Sequence, residues 1–330
     1  MMLFGRKFFN SVSTFASIRL SRPEVVSSNI NKSGLFKIDR AITNLCFSPP
    51  ESFVGLLFTC VFSPTLSSTS NALFLRSVCE IPDKVIPNTW FEDKIETTDA
   101  WIYEKVGIKE RRMADSNQTT SDLAVEASLK AIKDAQLTID DIDLIVLATS
   151  SPDMIQPPTA SIVQGKLKAH RAAAYDVGAV CAGFVFALNT AYAMQKTFNY
   201  RHVLVIGAET YSRILDYKDR TTCVYFGDGA GAVVLSQSQD EGGIQEGYLM
   251  TEGDKNDVIR FQGGAAAFPT TLETIANNLH RFEMQGRKVW DFAVRVLPYA
   301  TEQVLLKAHK KISDLDFIIF HQANINIIRH

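Results

Sequence analysis

Cys181 is the residue of this chain that is best placed to act as a nucleophile. It lies in residues 175–188, Y-D-V-G-A-V-C-A-G-F-V-F-A-L, where an extended segment gives way to a helix rich in small residues. Free backbone N–H groups at the start of a helix favour negative charge, so we expect a lowered thiol pKa and a reactive thiolate. Gly183 and its alanine neighbours are expected to leave room for a substrate. The alternative is a buried structural cysteine in a strand-to-helix turn.

His321 is the histidine best placed to assist Cys181. Of the six histidines, it alone ends an apolar run, residues 317–320, and the polar residues Gln322 and Asn324 follow it. Open α/β sheets bind ligands at the C-terminal ends of their parallel strands. A neutral imidazole there can donate a hydrogen bond to a developing negative charge or carry a proton. The alternative is a core histidine, and the strand-end position in a fold that offers a nucleophile favours the catalytic role.

Two further stretches have the composition of binding segments. Arg220, in D-Y-K-D-R-T-T, is a candidate for binding a phosphate, because a guanidinium group matches such groups geometrically. A surface ion pair with Asp216 or Asp219 is the alternative, and spacing alone favours it. Residues 226–232, F-G-D-G-A-G-A, lead into a strand and lack the glycine and lysine pattern of a nucleotide loop. We expect them to pack tightly against the helix that follows Cys181.

An internal repeat organises the elements around these residues. Residues 143–148, D-L-I-V-L-A, form an apolar run that predicts a fully buried parallel strand. Residues 142–146, I-D-L-I-V, recur as residues 315–319, L-D-F-I-I, each after a helix with an alanine and leucine face. The same separation, applied to the first strand near residue 72, predicts a strand at residues 247–250. A repeat of this length implies two similar αβ halves.

The composition changes near residue 71. Residues 1–71 are rich in serine and phenylalanine, carry basic residues before the first acidic one, and contain an apolar run too short to span a bilayer. They are a targeting segment, a membrane-touching extension or upstream sequence outside the functional protein, and we favour the last. Residues 72–240 then form the half with the nucleophile, and residues 241–330 the second half. The repeat predicts that this second half is incomplete, because it stops before the counterpart of the nucleophile segment.

The net charge and the spacing of the cysteines argue against several classes of protein. A net charge of −2 over 330 residues gives no case for nucleic-acid binding. The five cysteines are scattered and include no C-x-x-C pair, so they indicate neither a disulfide framework nor a zinc site. We therefore expect an α/β protein of a reducing, cytoplasmic compartment, with no metal, nucleic acid or membrane as a partner.

Six motifs in a fixed order connect the chain to a known family. They are T-D-A-W-I-Y-E-K-V-G-I-K-E-R (98–111), D-V-G-A-V-C-A-G-F (176–184), D-x-x-D-R-T-T (216–222), F-G-D-G-A-G-A (226–232), M-x-G-x-x-V-W-x-F-A-V (284–294) and H-Q-A-N (321–324). From about residue 72 the chain resembles the 3-oxoacyl-[acyl-carrier-protein] synthase III family, the initiating ketosynthases of type II fatty acid synthesis. The resemblance implies a thiolase-like fold, in which duplicated αβ halves stack in α-β-α-β-α layers.

The resemblance also implies a role for each candidate residue. Cys181 takes an acyl group from acyl-CoA, with its backbone N–H in the oxyanion hole, and His321 assists the decarboxylation of malonyl-acyl carrier protein. Trp101 and Arg220 fall on positions that flank the adenine of CoA, and Phe226 lines the acyl pocket. Acyl-CoA is then a substrate, and no cofactor is expected.

The reaction implied is the decarboxylative Claisen condensation of a short acyl-CoA with malonyl-acyl carrier protein, which yields 3-oxoacyl-acyl carrier protein, CO2 and CoA. The enzymes of the family are homodimers, in which a loop like residues 152–159 helps to close the partner's pocket. Two alternatives stay open: a non-decarboxylating acyltransferase of the same superfamily, and a truncated subunit without chemistry of its own.

The chain departs from the family at several places. The third catalytic residue, an asparagine beyond the H-Q-A-N helix, has no position in this sequence. Asn326 stands where an arginine thought to meet the carrier protein is usual, and Lys105 replaces another arginine near the CoA entrance. We therefore expect the chain as written to condense poorly.

Overall fold

The computed structural model of the chain describes residues 2–5, 60–63, 74–237, 243–315 and 317–330. The strands are β1 (Met2–Gly5), β2 (Cys60–Ser63), β3 (Phe74–Glu80), β4 (Lys84–Pro87), β5 (Glu110–Met113), β6 (Leu144–Ala148), β7 (Ala173–Val177), β8 (His202–Thr210), β9 (Asp228–Ser236), β10 (Ile244–Gly247), β11 (Ile259–Phe261), β12 (Phe282–Met284) and β13 (Phe317–Ile319). The helices are α1 (Asp99–Val106), α2 (Thr120–Asp134), α3 (Thr159–Leu167), α4 (Gly183–Phe198), α5 (Leu272–Ala276), α6 (Gly286–Lys307) and α7 (Ile325–Arg329).

A five-stranded sheet in the order β3-β9-β8-β6-β7 forms the centre of the first half. Strand β6 runs parallel to both β7 and β8, whereas β9 runs antiparallel to β8 and β3. The predicted buried parallel strand is confirmed, since all five residues of β6 are buried. The parallel strands β6, β7 and β8 bring their C-terminal ends to one edge of the sheet, the edge at which ligands bind in open α/β folds.

Helices cover both faces of this sheet. Successive side chains of β6 point to opposite faces, so alternate residues pack against different helices. Ile145 and Leu147 pack in one core with Leu123 and the alanines of α2. Leu144 and Val146 pack in a second core with α4. A strand buried on both faces must be apolar throughout, which accounts for the run L-I-V-L-A.

The glycine-rich stretch at residues 226–232 packs tightly, as expected, but against other partners than the helix after Cys181. A Cβ atom on Gly227 would lie 2.8 Å from the carbonyl oxygen of Arg112 in β5. Ala230 and Ala232 belong to the core that α2 covers. Small residues are needed here because β9 and β5 approach each other closely.

The second half is built around a sheet in the order β10-β1-β2-β13. The strand that opens residues 241–330 is β10, which begins three residues before the predicted strand at residues 247–250 and shares only Gly247 with it. The predicted bounds are therefore wrong. The strand ends at Gly247, where a Cβ atom would overlap the side chain of Asn189 in α4. The chain then turns away, and Tyr248 and Leu249 line a cavity instead.

Two short strands of this sheet come from the first 71 residues. Strand β1 pairs antiparallel with β10 and parallel with β2, and β2 pairs antiparallel with β13. The other residues of 1–71 lie outside the described part of the chain. The domain boundaries at 71 and 240 therefore stay predictions.

The two halves meet where α1 contacts the loop that carries His321. Gly107 ends α1 with a φ of 83°, in the left-handed region that glycine tolerates best. A Cβ atom on Gly107 would also lie 2.7 Å from the side chain of Ile325. Asn324 and Asn326 donate side-chain hydrogen bonds of 3.3 and 3.0 Å to the Lys105 carbonyl oxygen. Asn326 thus caps the carboxyl end of α1.

Candidate active site

A strained turn places Cys181 at the start of α4. Asp176 is the next-to-last residue of strand β7, and its carboxylate accepts hydrogen bonds of 2.7 Å from the Thr159 and Ala160 amides at the start of α3. Val180 then has a φ of 44°, in a region that branched side chains rarely occupy. Such strain persists only where the surrounding structure holds the backbone in place, and it is concentrated at functional sites. Cys181 follows in a single helical turn, Val180–Ala182, directly ahead of α4.

Gly183 serves the packing of α4. A Cβ atom at this position would lie 3.2 Å from the Cβ atom of Ala148 in β6, and Gly183 is buried. The expectation that Gly183 leaves room for a substrate is therefore wrong. Its small size lets the helix approach the sheet, which sets the depth at which Cys181 lies.

Cys181 and His321 line the same cavity, whose volume is about 430 Å³. Elements from both halves form its wall, with Phe226 from the first half and α6 from the second. The two residues lie 140 positions apart in the chain, and each follows a strand, β7 or β13. The expectation that His321 ends a parallel strand is wrong, because β13 pairs antiparallel with β2. A cavity of this size is in the usual range for small-molecule sites.

The pKa of Cys181 moves in the opposite direction from the expected one. Burial of the thiol raises its pKa to about 11, and the negative charge of Glu209 acts in the same direction. The backbone hydrogen bond at the helix start lowers the pKa by less than burial raises it. The predicted lowering of the thiol pKa is therefore wrong. The thiol keeps its proton at neutral pH, and its reaction requires that a bound substrate or a neighbouring base assist the loss of that proton.

His321 is a half-buried imidazole that is neutral at physiological pH. Burial lowers its pKa to about 4, because the charged form is poorly solvated in the cavity wall. Its Nδ1 atom is buried and has no hydrogen-bond partner among the described residues. Buried polar atoms are nearly always paired, so this atom indicates a place where a ligand or water supplies the partner.

Trp101 and Arg220 form a pair outside the cavity wall. The Arg220 guanidinium lies 4.7 Å from the centre of the Trp101 ring and donates a 2.6 Å hydrogen bond to the Glu96 carbonyl oxygen. Asp219 instead accepts from Thr221 and Thr222. The alternative of a surface ion pair for Arg220 is therefore wrong in the described structure.

Aromatic side chains form an apolar wall beside Cys181. Phe226 stacks on Tyr211 with ring centres 5.0 Å apart and meets the edge of Phe282 at 5.1 Å. All three rings line the cavity. Rigid rings leave a space of fixed shape, which suits a small apolar group attached to the thiol.

Known proteins resemble this chain over most of its length. The sequence model of 3-oxoacyl-[acyl-carrier-protein (ACP)] synthase III matches residues 175–253. The chain is 46% identical over 248 residues to the beta-ketoacyl-[acyl-carrier-protein] synthase III of Caldanaerobacter subterraneus subsp. tengcongensis, covering 75% of each chain. It is 45% identical over 249 residues to the enzyme of the same name from Clostridioides difficile, covering 76% of each. The crystal structure of 3-oxoacyl-[acyl-carrier-protein] synthase III from Aquifex aeolicus superimposes with a TM-score of 0.70 at 36% identity, covering 79% of each chain.

The chain belongs to the 3-oxoacyl-[acyl-carrier-protein] synthase III family. The resemblance inferred from the motifs is thereby confirmed, as is the thiolase-like α/β fold. The protein is an enzyme, an acyltransferase of the β-ketoacyl-acyl carrier protein synthase III type that belongs to fatty acid biosynthesis. No helix in the described part of this synthase has the length and hydropathy needed to cross a membrane.

Glu209 is a residue of this synthase cavity that the sequence patterns above do not single out. It lies at the C-terminal end of β8, lines the cavity and accepts a 2.8 Å hydrogen bond from the Ser150 amide. Burial raises the pKa of Glu209 to about 7. The rule that singled out His321 also applies here, because Glu209 is a polar residue at the end of an apolar strand beside a parallel neighbour.

Proposed function

We propose that this synthase condenses a short acyl-CoA with malonyl-acyl carrier protein through an acyl group carried on Cys181. The observation that carries the proposal is the shared cavity of Cys181 and His321, in which the imidazole is neutral and its Nδ1 atom has no partner among the described residues. One residue has the chemistry of a nucleophile, and the other can donate to an oxygen that becomes negative.

The first step moves the acyl group. The Cys181 sulfur attacks the thioester carbonyl of acyl-CoA, and the developing oxyanion takes a hydrogen bond from the Cys181 backbone N–H. The bond to the CoA sulfur then breaks. Because the thiol is protonated at rest, its proton leaves during the attack, and CoA departs as a thiol with one proton gained.

The second step forms the carbon–carbon bond. Malonyl-acyl carrier protein loses CO2, and the electron pair of the broken bond becomes an enolate whose oxygen accepts a hydrogen bond from His321. The enolate carbon attacks the acyl carbonyl on Cys181 and releases 3-oxoacyl-acyl carrier protein. The Cys181 thiolate that remains takes one proton from solvent, which completes the cycle. A neutral imidazole suits this step because it donates without needing a positive charge in a buried place.

Acyl-CoA binds in this proposal with its adenine at Trp101 and Arg220. An indole ring and a planar guanidinium offer the two flat faces that an aromatic base can stack on. Both residues lie outside the cavity wall, so they affect substrate binding and leave the chemistry at Cys181 unchanged.

We expect Arg220→Ala to raise KM for acyl-CoA about 3- to 30-fold and to change kcat by less than about threefold, because a cation–π contact contributes roughly 0.5–2 kcal/mol. Steady-state kinetics with acetyl-CoA measures both constants. Lys94→Ala is the matched control, since Lys94 lies 4.1 Å from the ring centre of Trp90 in a comparable pair. A fall in kcat at constant KM, or an equal rise in KM for Lys94→Ala, would contradict the binding role.

The synthase acts as a homodimer in this proposal. Among the described strands, β7 pairs only with β6 and is therefore an edge strand of the sheet. A second copy of the chain can extend the sheet by pairing with β7. The loop at residues 152–159 exposes Met154 to 50% and Ile155 to 75%, and large apolar side chains are covered when such a loop reaches a partner.

The test uses the full chain with acetyl-CoA and malonyl-acyl carrier protein labelled at its free carboxyl group. We expect slow but measurable release of labelled CO2 that depends on acetyl-CoA, formation of 3-oxoacyl-acyl carrier protein, and the mass of two chains in sedimentation. Acetyl transfer without CO2 would overturn condensation and favour the non-decarboxylating acyltransferase. Absence of both acetyl transfer and CO2 release would favour a subunit without chemistry of its own.

A further inference from the structure

Glu209 is held in place by the segment that follows β6. Its carboxylate accepts hydrogen bonds from the Ser150 amide at 2.8 Å, from the Ser151 hydroxyl, and from the Thr149 hydroxyl at 3.4 Å. These three donors come from the end of the strand next to β8 in the sheet. The carboxyl group is therefore fixed at the C-terminal edge of the sheet, beside the turn that carries Cys181.

The same network extends to the first turn of α2. The Ser151 hydroxyl accepts a 2.8 Å hydrogen bond from the Thr210 amide, and the Thr120 hydroxyl donates 2.6 Å to the Ser151 carbonyl oxygen. The hydroxyls of Thr120 and Thr210 lie 2.7 Å apart. A fully connected buried network of this kind is rigid, so the position of Glu209 is set by three elements of the fold.

No Lys, Arg or His nitrogen in the described part of the chain forms an ion pair with Glu209. Its charge acts instead on two neighbours, Cys181 and Tyr211, and raises the pKa of both. The other charged or titratable side chains that line the cavity are Lys109, Glu110, Arg111, Glu252 and His321, with two further tyrosines.

The other strand beside β8 adds a second buried carboxylate, Asp228 of β9. It accepts hydrogen bonds from the Ser212 amide and hydroxyl and from the Ala114 amide.

Two other groups in the cavity have pKa values outside the range from about pH 6 to pH 9. The pKa of His321 is lowered to about 4, and the pKa of Arg111 is lowered to about 10. Glu209, with a pKa of about 7, titrates inside that range.

We propose that Glu209 is a positioning residue for acyl transfer, which holds the segment at residues 149–151 beside Cys181 and controls the reactivity of the thiol by the charge of a carboxylate in the same cavity. When Glu209 is ionised, the thiol keeps its proton more firmly, because two negative charges in one cavity repel each other. When Glu209 is neutral, the thiolate forms more readily. The two groups titrate as a coupled pair.

This inference rests on the proposed nucleophilic role of Cys181, but its test does not use acyl transfer. The rate of alkylation of Cys181 by iodoacetamide is followed by peptide mass spectrometry, which separates this residue from the other cysteines. Alkylation needs only the thiolate. A failure of condensation and a failure of the Glu209 proposal therefore give different results.

The pH dependence distinguishes the charge of Glu209 from a purely structural role. For an isolated thiol, the logarithm of the rate rises in a straight line with pH below its pKa. In the wild-type protein we expect that line to flatten near pH 7 and to resume at a rate about tenfold lower, because ionisation of Glu209 raises the pKa of the Cys181 thiol.

In Glu209→Gln we expect a straight line without the break and alkylation about tenfold faster than wild type at about pH 8.5. Glu209→Asp keeps the charge and should keep the break. A straight wild-type line through pH 7, or equal rates for wild type and Glu209→Gln at about pH 8.5, would overturn the proposal. The wild-type curve decides the question even if the Gln variant does not fold.

Discussion

We expect Cys181→Ala to abolish the covalent acyl adduct and to lower the rate of condensation by at least about 1000-fold. Without the nucleophile, only substrate binding and the contacts to the oxyanion remain. Intact-mass measurement after incubation with acetyl-CoA should show one acetyl group on the wild-type chain and none on the variant. CO2 release from malonyl-acyl carrier protein with acetyl-CoA present gives the rate.

Cys79→Ala is the matched control for this experiment. Burial raises the pKa of Cys79 to about 11, as it does for Cys181, but Cys79 lies in β3 at the other edge of the sheet. The two thiols therefore have similar acidity and differ in position. Retention of the adduct in Cys181→Ala, or its loss in Cys79→Ala, would assign the acyl group to another residue.

His321→Ala should lower CO2 release by about 100- to 1000-fold while acetylation of Cys181 persists. The enolate formed on decarboxylation places negative charge on an oxygen in a cavity with little water, where one fixed donor contributes about this factor. Wild-type CO2 release should show no loss between about pH 8 and pH 6 from protonation of this residue, because its pKa of about 4 keeps the imidazole neutral.

His280→Ala is the control for His321→Ala. The Nδ1 atom of His280 is also buried without a hydrogen-bond partner among the described residues, but His280 is not part of the cavity wall. An equal fall in CO2 release for both variants would indicate a general loss of structure. Loss of the acetyl adduct in His321→Ala would instead place the imidazole in the first step.

The same pKa predicts how His321 affects stability. The folded pKa lies below the usual histidine value, so the unfolded chain binds a proton at His321 in a range where the folded chain does not. The contribution of His321 to the free energy of unfolding is therefore greatest above about pH 6.5, and it decreases as the pH drops towards about 4.

Local patterns in the sequence determined much of the site. The small residues after Cys181 predicted a helix start, the apolar run of β6 predicted a strand buried on both faces, and the polar residues after β13 placed His321 at a strand end. Each of these signals depends on neighbours within a few positions, which is why the sequence alone was sufficient. The order of the motifs was also enough to name the family.

Contacts between distant segments decided the rest. The thiol pKa of Cys181 rises mainly because the thiol is buried and also because β8 brings Glu209 to it, and neither effect can be read from the turn itself. Arg220 has two aspartates close by in the sequence, yet it lies on Trp101, more than one hundred residues earlier. Gly183 was expected to face a substrate, and it faces Ala148 because α4 packs on β6. The sequence determined which residue types stand at the strand ends and helix starts. Only the tertiary structure decided their burial and their charged neighbours, because both depend on how segments that are distant in the sequence pack together.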